Sequence, residues 1–157
     1  MKNYAESFRD LRVYRMAIAV EGEIFRLTKT FPKSEQYSLT DQVRRSSRAI
    51  GAQIAEAWAK RRYPAHFTSK LTDADAEQQE TQHWLECASR AGYVRSDDVR
   101  YLIDELCAIG RMLHGMTEKT DLFCGKPCDV VREERAEYLV SSASSPDHGS
   151  RITDYVS

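Results

Sequence analysis

The chain lacks most of the features that would settle a protein's class at a glance. Nowhere do about 18 apolar residues run together, the length a membrane-spanning helix needs. The opening MKNYAESFRD has no apolar core of the kind a signal peptide carries. Four cysteines (Cys87, Cys107, Cys124 and Cys128) are too few for a disulfide scaffold, and two sit in apolar helical patterns where a reduced thiol is a small hydrophobe. These absences predict a cytoplasmic protein with no membrane segment. No glycine-rich phosphate loop or G-x-S-x-G elbow is present. His66, His83, His114 and His148 fall in four separate segments with no nucleophile beside them. An enzyme is the disfavoured class, and the sequence predicts no catalytic residue, cofactor or small-molecule substrate. Net charge is missing too: −1 overall gives no global pull toward nucleic acid.

What is present is helical periodicity. With 157 residues, 41% hydrophobic and 30% charged, the chain has the length and mixture of one helical domain. From about Phe8 to Thr30 the residues Val13, Ala17, Val20, Ile24, Leu27 and Phe31 form a heptad stripe, which predicts a first long helix. Leu11, Tyr14, Ile18 and Phe25 widen its apolar arc beyond what one antiparallel neighbour covers. Glu21 lies inside that arc, so it is expected to pair with an arginine or to sit at a subunit seam, because an unpaired buried carboxylate costs several kcal/mol. Phe31-Pro32 stops the helix.

The second helix, about 39–62, has two working faces. Leu39, Val43, Ile50, Ile54 and Ala57 form its core stripe, and Ser38 is the expected cap. The other side carries Arg44, Arg45 and Arg48, then the small residues Ala52, Ala55 and Ala59, with Arg62 at the end. From Leu39 to Arg62 six basic residues stand against two acidic, a local net of +4. Lys60, Arg61 and Arg62 also suit the negative end of a helix dipole, before Tyr63-Pro64 breaks the chain.

A third helix, about 65–91, has the stripe Phe67, Leu71, Ala74, Gln78, Thr81, Leu85 and Ala88 and ends at Gly92. Gln78 and Thr81 predict a buried polar layer, with Ser46, Ser47 and Gln53 as partners. The fourth helix, about 97–117, is capped by Ser96 and carries Val99, Leu102, Leu106, Ile109, Leu113 and Met116. Short connections between four amphipathic helices specify an all-α, antiparallel up-down-up-down four-helix bundle over 1–118. A C-terminal extension follows over 119–157, with a short helix possible at 127–140 and a flexible stretch at 141–150.

One constellation in the sequence is a candidate for chemistry. Glu80-Thr81-Gln82-His83 has the E-x-x-H spacing of di-iron bundles, but no second copy exists, so no metal site is predicted. Cys124-Gly-Lys-Pro-Cys128 is one residue too long for a C-x-x-C redox motif. The row Asp73, Asp75, Glu77 and Glu80 reads as a solvated or salt-bridged face. Arg44, Arg45 and Arg48 remain. Their guanidinium groups either contact phosphates, together with Arg61 and Arg62, or pair with Glu77, Glu80 or Glu21 inside the bundle or across a subunit boundary. Tyr14, Ile18, Glu21 and Phe25, with Ala52, Ala55 and Ala59, are the expected subunit-contact residues.

Several of these stretches resemble one bacterial family, the 23S rRNA intervening-sequence proteins. Leu11 to Ala17 with Phe31-Pro32 is similar to its opening helix and F-P stop. Gln42-Val-Arg-Arg-Ser-Ser through Ile50 and Ile54-Ala55-Glu56 resembles its Q-x-R-R-A…S-I…N-I-A-E-G signature, with Gln53 at the usual Asn and Ala57 at the usual Gly. Glu77-x-x-Glu80-Thr-Gln with Gly92-Tyr93 resembles its E-x-x-E-T-Q…G-Y segment. The resemblance implies a ring-like homopentamer of four-helix bundles without known catalysis. It extends to the accessory protein of diversity-generating retroelements, which implies structured RNA or a reverse transcriptase as partner and Arg44, Arg45 and Arg48 as the signature arginines.

Overall fold

The four apolar stripes become four long helices. The computed structural model describes residues 5–125. Its long elements are α1 (Arg12–Thr28), α2 (Leu39–Ala59), α3 (Pro64–Arg90) and α4 (Ser96–Glu118), followed by a short α5 (Thr120–Cys124). Single 3-10 turns at Phe8–Asp10 and Lys33–Glu35 lead into α1 and α2. Each long helix packs against the next, and α4 closes back on α1, which makes the antiparallel bundle. No strand occurs among the described residues.

The core follows the stripe positions read from the heptads, except in the first helix, where Leu27 is only partly buried while Leu11 and Thr28 are buried. Ile24, Ile50, Ile54, Phe67, Leu85 and Leu106 are completely buried, one or more from every long helix. At their centre lies the expected polar layer. Thr81 Oγ1 bonds Ser46 Oγ at 2.9 Å and the Glu77 carbonyl at 2.8 Å. Gln78 donates to Asp75 Oδ1 at 3.0 Å and accepts from Gln82 Nε2 at 2.6 Å. Gly110 on α4 admits this layer: a Cβ there would stand 3.0 Å from Gln78 Nε2 and 3.1 Å from Asp75 Oδ1. Among the described residues no buried side-chain nitrogen or oxygen lacks a partner, so the layer is satisfied. Gln53, expected in the layer, instead accepts from Lys70 Nζ at 3.1 Å nearer the surface.

The helix ends depart from expectation for local reasons. The first helix is broken near its start: Ser7 and Asp10 form a capping box around a 3-10 turn, Leu11 is extended (φ −65°, ψ 127°) and buried, and α1 begins only at Arg12. Ser38 occupies the N-cap position of α2 without capping it; its hydroxyl donates to the Glu35 carboxylate. Glu35 also accepts from the Leu39 amide at 3.4 Å and from Tyr93 Oη at 3.0 Å, which ties the first interhelical turn to the third. A carboxylate is the stronger acceptor for those donors. Ser96 lies inside α4, whose N-cap is Arg95, while Asp97 and Asp98 supply the favourable first-turn charge. α2 stops at Ala59, so Lys60, Arg61 and Arg62 lie past its end, and Pro64 opens α3 where its missing N–H is harmless. Gly92 adopts φ +75°, with Tyr93 N bonding the Ala88 carbonyl, as a left-handed helix stop requires.

The compact unit reaches Gly125, past the boundary expected at 118. α5 accounts for the difference, with Phe123 stacked on Phe67 at 5.7 Å between centroids. The expected helix at 127–140, the stretch at 141–150 and Cys128 lie outside the described residues. Among the described residues no helix is long and apolar enough to cross a membrane.

Candidate functional site

A second heptad runs beside the core stripe of α1: Tyr14, Ile18, Glu21, Phe25 and Thr28. On α2 the residues Arg44, Arg48, Gly51 and Ala55 form the facing row. Because the helices are antiparallel, Ile18 and Tyr14 meet α2 at Gly51, where a Cβ would touch them at 3.4 and 3.6 Å. At the other end of the seam Phe25 meets the arginines.

Phe25 is 36% exposed and is ringed by cations. Arg44 Cζ lies 4.8 Å from the ring centroid, Lys29 Nζ 4.9 Å and Arg48 Cζ 5.9 Å. Each such contact at an exposed ring contributes about 0.5–1 kcal/mol. Arg44 is held further: its Nε donates to Thr28 Oγ1 at 2.7 Å, and that hydroxyl donates to the Phe25 carbonyl at 3.0 Å. Arg48 Nε donates to Glu21 Oε1 at 3.2 Å, the pairing expected for a carboxylate in the apolar arc of α1. Three cations therefore lie around one ring, among the described residues only Arg48 being in an ion pair, and the side chain of Arg48 remains 55% exposed.

The remaining predicted residues lie elsewhere. Arg45 faces away from the seam, 4.0 Å from Asp41, with its side chain 72% exposed. It also acts on Glu77 of α3, whose carboxyl is held above the ordinary range by burial and by Glu80 and Asp73, with Arg45 opposing them. Arg61 folds back on the end of α2, its Nη1 donating to the Trp58 carbonyl at 2.7 Å and its guanidinium 4.2 Å from the Trp58 ring. Arg62 is exposed beside Tyr63, which is 58% exposed and packs on His66. Residues 44 to 61 span roughly 25 Å of helix at about 1.5 Å per residue, so Arg61 and Arg62 form a second patch. Of the expected subunit-contact residues, Ala52 and Ala59 are exposed, while Ala55 and Tyr14 are half-buried.

Lys29 and Thr28 join the site although the helical stripes alone do not single them out; Thr28 continues the Tyr14, Ile18, Glu21, Phe25 spacing, which is the signal that could find it. The other constellations have local explanations. Glu80 accepts from Trp84 Nε1 at 2.9 Å, and His83 Nε2 lies 3.7 Å from Cys87 Sγ. Among the described residues no group of three metal-ligating side chains comes together.

Comparison with known proteins bears on the whole core. The chain is similar to a protein of unknown function from the S23 ribosomal protein family of Bacteroides thetaiotaomicron. The two are 26% identical, with a TM-score of 0.61, over 67% of this chain and 97% of that one. No curated protein matches. A model of the family described as 23S rRNA-intervening sequence protein matches residues 9–115, from the 3-10 turn before α1 almost to the end of α4. The match takes in Phe25, Lys29, Arg44 and Arg48, and the chain belongs to the 23S rRNA-intervening sequence protein family.

Proposed function

We propose that this bundle is a non-catalytic accessory protein for structured RNA that assembles with copies of itself, a pentamer by its family resemblance. Lys29, Arg44 and Arg48 would make its main phosphate contacts. The observation that carries the reading is the gathering of three cations at Phe25, of which, among the described residues, only Arg48 is in an ion pair. Packing on the ring and the Thr28 hydroxyl preorganise the guanidinium groups, so less side-chain entropy is lost when a phosphate arrives. The family's description names a 23S rRNA intervening sequence, which makes structured RNA the partner class to test first. A reverse transcriptase complex is the narrower version of the same reading. Arg45, Arg61 and Arg62 would extend the footprint.

The Arg48–Glu21 pair supports a second reading, a protein-interaction scaffold whose arginines serve internal or intersubunit ion pairs. Arg48→Glu separates the two. An intact oligomer without affinity for RNA supports the accessory protein, whereas failure to fold or assemble supports the scaffold.

A further inference from the structure

A groove of about 280 Å³ opens where the start of α1 meets the end of α4 and α5. Its walls are Leu11, Val13, Met112, Met116 and Phe123. Gly115 keeps it open, since a Cβ at that position would meet nothing within 4 Å. Leu11, Val13 and Met116 are themselves buried, so the base of the groove is firm core. Two cations, Arg12 and Lys119, complete the lining; both are exposed, and neither side chain has a partner among the described residues. Among the described residues no lining residue is acidic.

An apolar slot whose described charged residues are both cations selects a particular ligand chemistry. An acidic helix would need a wider trough than these few residues line, and an extended peptide segment would bring amide groups that these walls leave without hydrogen-bond partners, at a cost for each. An alkyl chain brings none, and a terminal carboxylate would meet the two cations. We propose that the groove binds a medium-chain fatty acid, its alkyl chain along Met112, Gly115 and Met116 and its carboxylate between Arg12 and Lys119. At roughly 30 Å³ per methylene, about the share of one water in the liquid, the space holds roughly nine methylenes. Decanoate is the matching probe.

The test is a titration of the full chain with decanoate, followed by the methyl resonances of its methionines. Met112 and Met116 are expected to shift in a saturable way while Met16, outside the groove, stays still. Each methylene from hexanoate to decanoate should tighten binding about fourfold. Decanoate should bind roughly fivefold tighter than decanol, and Arg12→Gln with Lys119→Gln should erase that preference. Gly115→Leu should abolish binding with no loss of melting temperature, because leucine is the better helix former and its side chain enters the open groove. Undiminished binding to Gly115→Leu overturns the proposal, as does decanol binding as tightly as decanoate. So does a Gly115→Leu protein whose light-scattering mass falls to the monomer, since a second copy would then be the occupant.

Discussion

Glu21→Gln removes the carboxylate paired with Arg48 beside Phe25 and so separates binding from stability. The Arg48–Glu21 contact is 3.2 Å long, but the side chains are 55% and 26% exposed, and ion pairs of this exposure contribute no more than about 1 kcal/mol. For a unit of this size that change lowers the melting temperature by about 4 °C at most. The effect on RNA has the opposite sign. A phosphate held by Arg44 and Arg48 would lie near Glu21, and one unit charge at about 6 Å with an effective dielectric of about 50 repels it by about 1 kcal/mol. Glu21→Gln should therefore tighten RNA binding about fivefold while costing little stability. Fluorescence anisotropy of a labelled structured RNA at about 50 mM salt, with a thermal melt on the same preparation, reads both. Unchanged or weaker affinity would mean that no phosphate binds beside Glu21, and a dissociated oligomer would show that the ion pair belongs to a subunit contact.

Three further outcomes follow from the packing and the titrating groups. Gly110→Ala pushes a methyl against the amide of Gln78 and the carboxylate of Asp75, so despite alanine's better helix propensity the net effect should be destabilisation by about 1 kcal/mol in urea unfolding; a stabilised variant would contradict the close approach. Hydrogen bonds from Ser38, Tyr93 and the Leu39 amide hold the Glu35 carboxyl below its ordinary value of 4.5. The stability it contributes is thus present above that value and lost as pH falls through the folded one, and Glu35→Gln should flatten this acid limb of the melting temperature. Burial, Glu80 and Asp73 push Glu77 the other way, so it favours the fold when protonated and loses that contribution as pH rises through its folded value. Glu77→Gln should raise the melting temperature at pH 7 and leave it unchanged in acid; equal effects at both pH values would refute the assignment.

The bundle was legible because its signal is repeated. Positions such as Val43, Ile50, Leu85 and Leu106 are buried where the heptads put them, and even Thr81 and Ser46 meet as their interior polar positions required. Helix ends were less legible because each rests on a choice between acceptors that lie close together. Ser38 had both the α2 backbone and Glu35 within reach, and the carboxylate won. The break at Leu11 contains neither proline nor glycine; the only trace of it in the sequence is the Ser7–Asp10 capping box. At the candidate site, the wheel of one helix placed Arg44, Arg45 and Arg48 together. The structure divides them because α1 lies along one edge of α2, where Thr28 and Phe25 draw in Arg44 and Arg48 while Arg45 turns toward Asp41 and α3. That division depends on the neighbouring helix, which no single stretch of sequence contains.

If the cations at Phe25 hold RNA phosphates, RNA binding must depend on salt through them. Anisotropy titrations between about 50 and 200 mM salt should show affinity falling steeply with salt. Replacing Lys29, Arg44 and Arg48 together by glutamine, with helix content unchanged, should lower the log-log slope by roughly 2–3 units, close to one for each phosphate no longer neutralised. Absence of binding at the lower salt, or a slope that the triple replacement leaves unchanged, would mean that these cations do not hold RNA and would leave the arginines to protein partners.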